Sequence, residues 1–148
     1  DVAALLDVMQ APQGRAAAIL RGAATAMTDV TGFGFAGHLG AMAKGAGLSA
    51  LIYLENLPIF AGVQDLVRAG HGSALAKSNR AAAPVAGLAE GDWRSAVLHD
   101  PQTAGGLLAA IPAQKAQEIL AALAKEGIEA WEVGEFEAGP EGGMAVRA

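Results

Sequence analysis

The 148-residue sequence predicts an α+β fold, a mixed β-sheet covered by helices. Three observations carry that prediction. The last third reads as strand, helix and strand joined by short links and followed by a hairpin, which sets parallel and antiparallel neighbours in one sheet. Hydrophobic residues make up 53% of the chain and charged ones 17%, a balance that excludes low-hydrophobicity disorder. Much of the apolar content is alanine, with only 4 Phe, 2 Trp and 1 Tyr. The core is therefore expected to form from small side chains where helices approach the sheet closely. The length suits one domain built on one core.

Val2, Leu5, Leu6 and Met9 recur at i, i+3, i+4 and i+7 and predict an opening helix. After residues 12–14 a second helical run carries Ile19, Leu20 and Ala23. These opening helices, residues 1–25, precede a motif-bearing core over residues 26–148. Ala26 and Met27 lead an extended segment into a glycine turn at residues 32–34. Residues 36–44, with Leu39 and Met42 three apart, read as a helix closed by Gly45 and Gly47. Residues 48–54 have the composition of a buried strand, and Pro58 stops a helix from running back into it. A helix is expected over 61–69, with Leu66 and Val67 inward and Gly70 past its end, and a loop over 70–79.

Residues 106–111 read as a strand, and Pro112 suits the first turn of the helix that follows. Ala116, Ile119, Leu120 and Leu123 line one face of that helix, and Gly127 is placed for a left-handed C-terminal cap. Residues 128–136 form the next expected strand. Its apolar parity changes after Val133, so a bulge is expected at Gly134. Residues 139–143 turn the chain into a final strand over 144–146. No internal repeat or low-complexity segment interrupts the order.

With 10 Lys+Arg against 15 Asp+Glu the formal charge is −5, and no basic stripe is present to neutralise a phosphate backbone. Nucleic acid is thus not an expected partner. Apolar stretches are broken well short of the roughly 20 residues that span a bilayer, so no membrane is expected either. The absence of cysteine excludes disulfides, thiolate nucleophiles and Cys-ligated metal centres. His38, His71 and His99 lack the helical i, i+4 spacing of a metal pair. No basic segment followed by an apolar one begins the chain, and a cytoplasmic location is expected. The first residue is Asp1, not Met, with a helix already under way. The expectation is a single C-terminal domain, residues 1–148, from a longer two-domain parent.

Chemistry concentrates first in residues 28–38, T-D-V-T-G-F-G-F-A-G-H, where a carboxylate, two hydroxyls and three glycines surround a strand-to-helix turn. Glycine admits a ligand close to the backbone, and a helix N-terminus favours an anion such as phosphate. Asp29 is a hard oxygen donor of the type Mg²⁺ uses between protein and nucleotide phosphates. A plain structural reading stands beside this one, with Asp29 or Thr31 as a helix cap and the glycines as a tight turn. Gly32, Gly34 and Gly37 also fit G-x-G-x-x-G, with Glu55 at the end of the next strand. Against a dinucleotide site, T-D-V-T lacks the apolar first strand, and Asp29 would face the pyrophosphate without a metal. The second constellation is H-D-P-Q-T-A-G-G at residues 99–106, which also reads as an ordinary turn. The third is the polar stretch 73–80, where Lys77 or Arg80 could meet a phosphate that Asn79 fixes, or where all three are simply solvated.

The long string at residues 28–38, followed by D-P-Q-T-A-G-G-L-L at residues 100–108, resembles the C-terminal half of selenophosphate synthetase, also called selenide, water dikinase. The resemblance runs from about Ala26 to the end. Aminoimidazole ribonucleotide synthetase, thiamine-monophosphate kinase and the hydrogenase-maturation dehydratase share that family's fold. The resemblance implies an aminoimidazole ribonucleotide synthetase-like C-terminal domain. It also implies an enzyme that turns ATP, selenide and water into selenophosphate, AMP and phosphate with Mg²⁺ and a monovalent cation, usually K⁺. It assigns Asp29 to the metal, and Thr28, Asp29, Thr31, Gly32, Gly34, Asn79 and Asp100 to the nucleotide site. Ala104 stands where the family usually has Ser, so no hydroxyl acts there. The selenium-handling Cys or selenocysteine and the catalytic Lys belong to the family's N-terminal half, as does most of its dimer interface. No catalytic residue is therefore expected in this chain, which should be inactive alone. Two alternatives stay open: a non-catalytic nucleotide-binding module in a fusion protein, and a related ATP-dependent enzyme with another substrate.

Overall fold

The computed structural model describes residues 2–147. Asp1, on which the expectation of a helix already under way rests, and Ala148 lie outside the described residues. The chain forms α1 (Val2–Gln10), α2 (Gly14–Arg21), β1 (Ala26–Asp29), α3 (Gly34–Ala46) and β2 (Ser49–Tyr53), followed by a short 3-10 turn at Leu54–Asn56. Three short helices come next, α4 (Val63–Arg68), α5 (Ala76–Ala82) and α6 (Arg94–His99). Then follow β3 (Leu107–Ala110), α7 (Ala113–Lys125), β4 (Gly134–Glu137) and β5 (Met144–Arg147). The α+β class is as expected, but the strands divide between two sheets. β1 and β3 form an antiparallel ribbon in which Asp29 lies opposite Leu107. The second sheet has the order β4-β2-β5, with β2 antiparallel to β4 and parallel to β5.

That order corrects the expected hairpin. β4 and β5 do not pair, because β2 lies between them. The turn that joins them wraps the start of β2, where the Ser49 hydroxyl donates to the Pro140 carbonyl at 2.7 Å and the Gly142 amide to the Leu48 carbonyl at 2.8 Å. The expected bulge is also absent. β4 begins at Gly134, and a Cβ there would lie 2.3 Å from the Leu51 carbonyl oxygen. The glycine serves a close approach to β2, which the parity argument could not distinguish from a bulge.

The core is a cluster of Val30, Ala36, Leu39, Ala43, Ala50, Ile52, Leu54, Ala83, Leu98, Leu108 and Met144. Ala36, Ala43 and Ala50 are at most 1% exposed, so small side chains do set the close helix–sheet approach. α3 is its centrepiece, packed on β1, β2, α5 and α6, and it ends at Gly47 in the left-handed conformation with φ +67°. α7 ends likewise, with Gly127 at φ +69° just beyond it.

Two expectations fail in the middle of the chain. Residues 70–79 are not all loop, since α5 starts at Ala76 and carries Asn79 within it. This helix buries a polar residue instead of an apolar stripe, so no hydrophobic period marks it. Leu66 does not face inward; α4 is short and Leu66 is exposed. Ala23 falls beyond the end of α2. α1 forms where expected, yet Val2, Leu5 and Leu6 are all exposed.

Candidate functional site

The ribbon of β1 and β3 brings residues 28–38 and 99–106 together. Beyond Asp29 the Val30 amide donates to the Gly106 carbonyl at 3.0 Å, and the Gln102 amide donates to the Thr31 carbonyl at 3.0 Å. A Cβ on Gly105 would lie 2.2 Å from the Val30 carbonyl oxygen, so only glycine permits this approach. Gly34 opens α3 at φ +71°, and a Cβ there would meet the His99 carbonyl carbon at 2.9 Å and the Asp100 carbonyl oxygen at 3.0 Å. Buried Asn79 then ties three parts of the chain, its Nδ2 donating to the carbonyls of Gly32 and His99, each at 3.0 Å. His99, 1% exposed, has Nδ1 2.7 Å from the Ser95 carbonyl oxygen and Nε2 2.9 Å from that of Ala83.

The predicted residues thus divide into those that build the site and those that face outward. Gly34, Asn79 and the 99–106 turn hold the loop by packing and hydrogen bonds. Asp29 is exposed at the end of β1, and no basic side chain pairs with it among the described residues. Thr28 is half-buried and donates its hydroxyl to the Asp29 carbonyl at 2.9 Å. Gly32 is exposed, and a Cβ on it would meet nothing within 4 Å. The side of Gly32 where a Cβ would stand is open, although its carbonyl is held by Asn79. Asp100 is half-buried; desolvation pushes its carboxyl above the usual range, and a hydrogen bond from the Ser73 amide partly offsets this.

The capping alternative does not hold. The residue at the head of α3 is Phe33, and no side chain caps it. The dinucleotide fingerprint fails as well, because β1 and β2 lie in different sheets and form no strand–helix–strand unit. Gly37 accommodates the Phe33 Cβ, which a Cβ of its own would meet at 2.7 Å, and Glu55 pairs with Arg94. Arg80 lines a cleft with Trp93 and Leu88 between α5 and α6. As to metal, no group of three or more His, Asp or Glu could hold an ion among the described residues. Asp29 remains as a single hard carboxylate without an ion pair among the described residues, which suits Mg²⁺, an ion bound through one or two carboxylates plus phosphates and water.

His38, the last residue of the first motif, reads from the sequence as a satisfied structural side chain rather than a catalytic base, with no partner named. Its Nε2 accepts the Thr31 amide at 3.0 Å, and its ring lies 5.9 Å from that of Phe33. Ser73 was likewise read only as part of a polar loop. Neither contact follows from periodicity, since each joins a side chain to backbone, His38 across a turn and Asp100 to a distant loop.

Curated relatives share one name. The chain is 39% identical over 110 residues to a selenide, water dikinase of Pasteurella multocida, an alignment covering 74% of this chain and 31% of that protein. It is 43% identical over 113 residues to the enzyme so named in Cronobacter sakazakii, covering 75% and 32% respectively. The chain thus matches about a third of the length of these relatives. Among solved structures, thiamine-monophosphate kinase from Stenotrophomonas maltophilia superposes with a TM-score of 0.60 at 18% identity, over 85% of this chain and 32% of that one. That likeness is one of fold. The family model described as AIR synthase related protein, C-terminal domain, matches residues 2–147, and the chain belongs to that family.

Proposed function

We propose that this chain is the C-terminal domain of an ATP-dependent selenophosphate synthetase, which makes selenophosphate, AMP and phosphate from ATP, selenide and water. The reading is supported above all by the meeting of the two motifs around an outward-facing Asp29, in a chain similar to proteins named selenide, water dikinase. Mg²⁺, when bound, offsets phosphate charge that the protein's carboxylates would otherwise repel. In this domain Asp29 would hold it. The open backbone at Gly32 gives a phosphate room, and the Thr31 hydroxyl supplies a donor beside it. Asn79 keeps Gly32 in place without itself facing the ligand, its amide nitrogen being shared between two carbonyls. Asp100 borders the same turn.

The Cys or selenocysteine, the catalytic Lys and the remaining metal carboxylates belong to an N-terminal domain in this reading. The full enzyme works as a cytoplasmic homodimer with K⁺. The test is ³¹P NMR of the full-length gene product given ATP, selenide, Mg²⁺ and K⁺. A selenophosphate resonance with AMP and phosphate is expected. ATP cleavage driven by thiamine monophosphate or another phosphorylated metabolite, with none driven by selenide, would move the assignment to a related enzyme. ATP binding without cleavage of any kind would leave a binding module.

A further inference from the structure

His38 lies on the first turns of α3, half-buried, and its ring nitrogen Nε2 is 3.0 Å from the Thr31 amide nitrogen and 3.2 Å from the Thr31 hydroxyl. A backbone N–H only donates, so Nε2 must carry no proton, and the neutral ring holds its proton on Nδ1. The Gly34 amide is also engaged, donating to the Thr31 carbonyl at 3.0 Å. Two of the loop's backbone donors, those of Thr31 and Gly34, are therefore spent inside it. We infer that His38 is a positioning residue whose Nδ1-protonated tautomer holds Thr31, so that the Thr31 hydroxyl rather than its amide is left to meet a ligand phosphate.

The surroundings are built for this. Phe33 packs against the imidazole with the ring planes tilted by 58°. Gly37 is what allows Phe33 to sit there, since a Cβ at position 37 would collide with the Phe33 Cβ. The bare Nε2 has one lone pair. With the amide occupying it, the Thr31 hydroxyl proton is free to turn outward. The spacing of Phe33, Gly37 and His38 behind Thr31 thus places an acceptor over the Thr31 amide.

The phosphate half of this inference rests on the nucleotide reading above; the tautomer and the hold on Thr31 do not. Long-range ¹H–¹⁵N NMR of the ¹⁵N-labelled 148-residue chain reads the tautomer directly, and a scalar coupling across the N–H···N bond between Thr31 and His38 reads the contact. A protonated Nδ1, a bare Nε2 and a resolved coupling are expected; a proton on Nε2 would overturn the inference. In His38→Leu the Thr31 amide should exchange about tenfold faster, the loss of one hydrogen bond, with Leu39 and Ala43 unchanged as the sign that α3 is intact. His38→Gln offers a carbonyl oxygen in place of Nε2 and should recover most of the protection. Equal Thr31 exchange in all three proteins would sink the positioning role. In the full-length enzyme, His38→Leu should raise KM for ATP more than it lowers kcat, with His38→Gln intermediate. An unaltered full-length protein that neither binds nor cleaves ATP would refute the nucleotide reading and leave the NMR result standing.

Discussion

Gly32 and Gly34 stand two residues apart in one motif and do different work. Gly34 has φ +71° and no room for a Cβ against His99 and Asp100, whereas Gly32 has neither restriction. Gly34→Ala should therefore destabilise the chain by about 1–3 kcal/mol from backbone strain, with the clash in addition. Gly32→Ala should stay within about 0.5 kcal/mol of the parent. Urea denaturation of the two variants separates them, and equal losses would refute the division. If Gly32 matters to the full enzyme, it is through the ligand. Asn79→Ala should cost about 1–3 kcal/mol by leaving the buried carbonyls of Gly32 and His99 without their donor. The residue types of the motif were legible as a turn that could admit phosphate. Which glycine served packing was not, because the atoms it packs against come from residues 99 and 100, far along the chain. Asn79 was legible as a polar residue that could fix a phosphate, but not as a buried tie between two loops, its own neighbourhood reading as loop.

The elements most legible in the sequence are those with a regular apolar period or a glycine stop, α3, β2, β3 and α7. The least legible are α5 and α6, short helices that position the site through Asn79 and His99. Each depends on polar contacts with distant backbone, which leave no period. α6 is bracketed by two aspartates whose pH behaviour is opposite. Before it, Asp92 accepts from the Arg94 amide at 2.9 Å and pairs with the Arg94 guanidinium at 2.8 Å, which holds its carboxyl below the ordinary value of 3.8. Its stabilisation is present above that value and fades as pH falls toward the lowered one. After α6, burial raises Asp100, so its ionised form costs stability as pH rises through the carboxylate range. Asp92→Asn should lose about 1 kcal/mol at pH 7 and progressively less in acid. Asp100→Asn should raise Tm at pH 7 and leave it unchanged below the carboxylate range, where Asp100 is already neutral. Thermal melts across that range check both signs. A common pH trend in the two variants would mean that α6 is not held in this way.

At the scale of the whole molecule, two sheets share one core through α3, and the end of the smaller sheet carries Asp29 into the open. A hard carboxylate, exposed and without a basic partner among the described residues, contributes little to the fold. Asp29→Asn should accordingly leave the unfolding free energy of this chain, from urea denaturation, within about 0.5 kcal/mol of the parent. Its effect in the full-length enzyme should be far larger. A metal that offsets phosphate charge supplies several kcal/mol to the transition state, and about 2.7 kcal/mol is a hundredfold in rate. Selenophosphate formation, followed by ³¹P NMR, should then fall by about a hundredfold or more, and Mg²⁺ dependence should shift to higher concentration. Loss of rate with a loss of stability would mean that Asp29 supports the fold. Unchanged rate in a stable variant would remove it from the metal site, and the hydroxyl of Thr31 with the open backbone at Gly32 would then be the domain's whole share of phosphate binding.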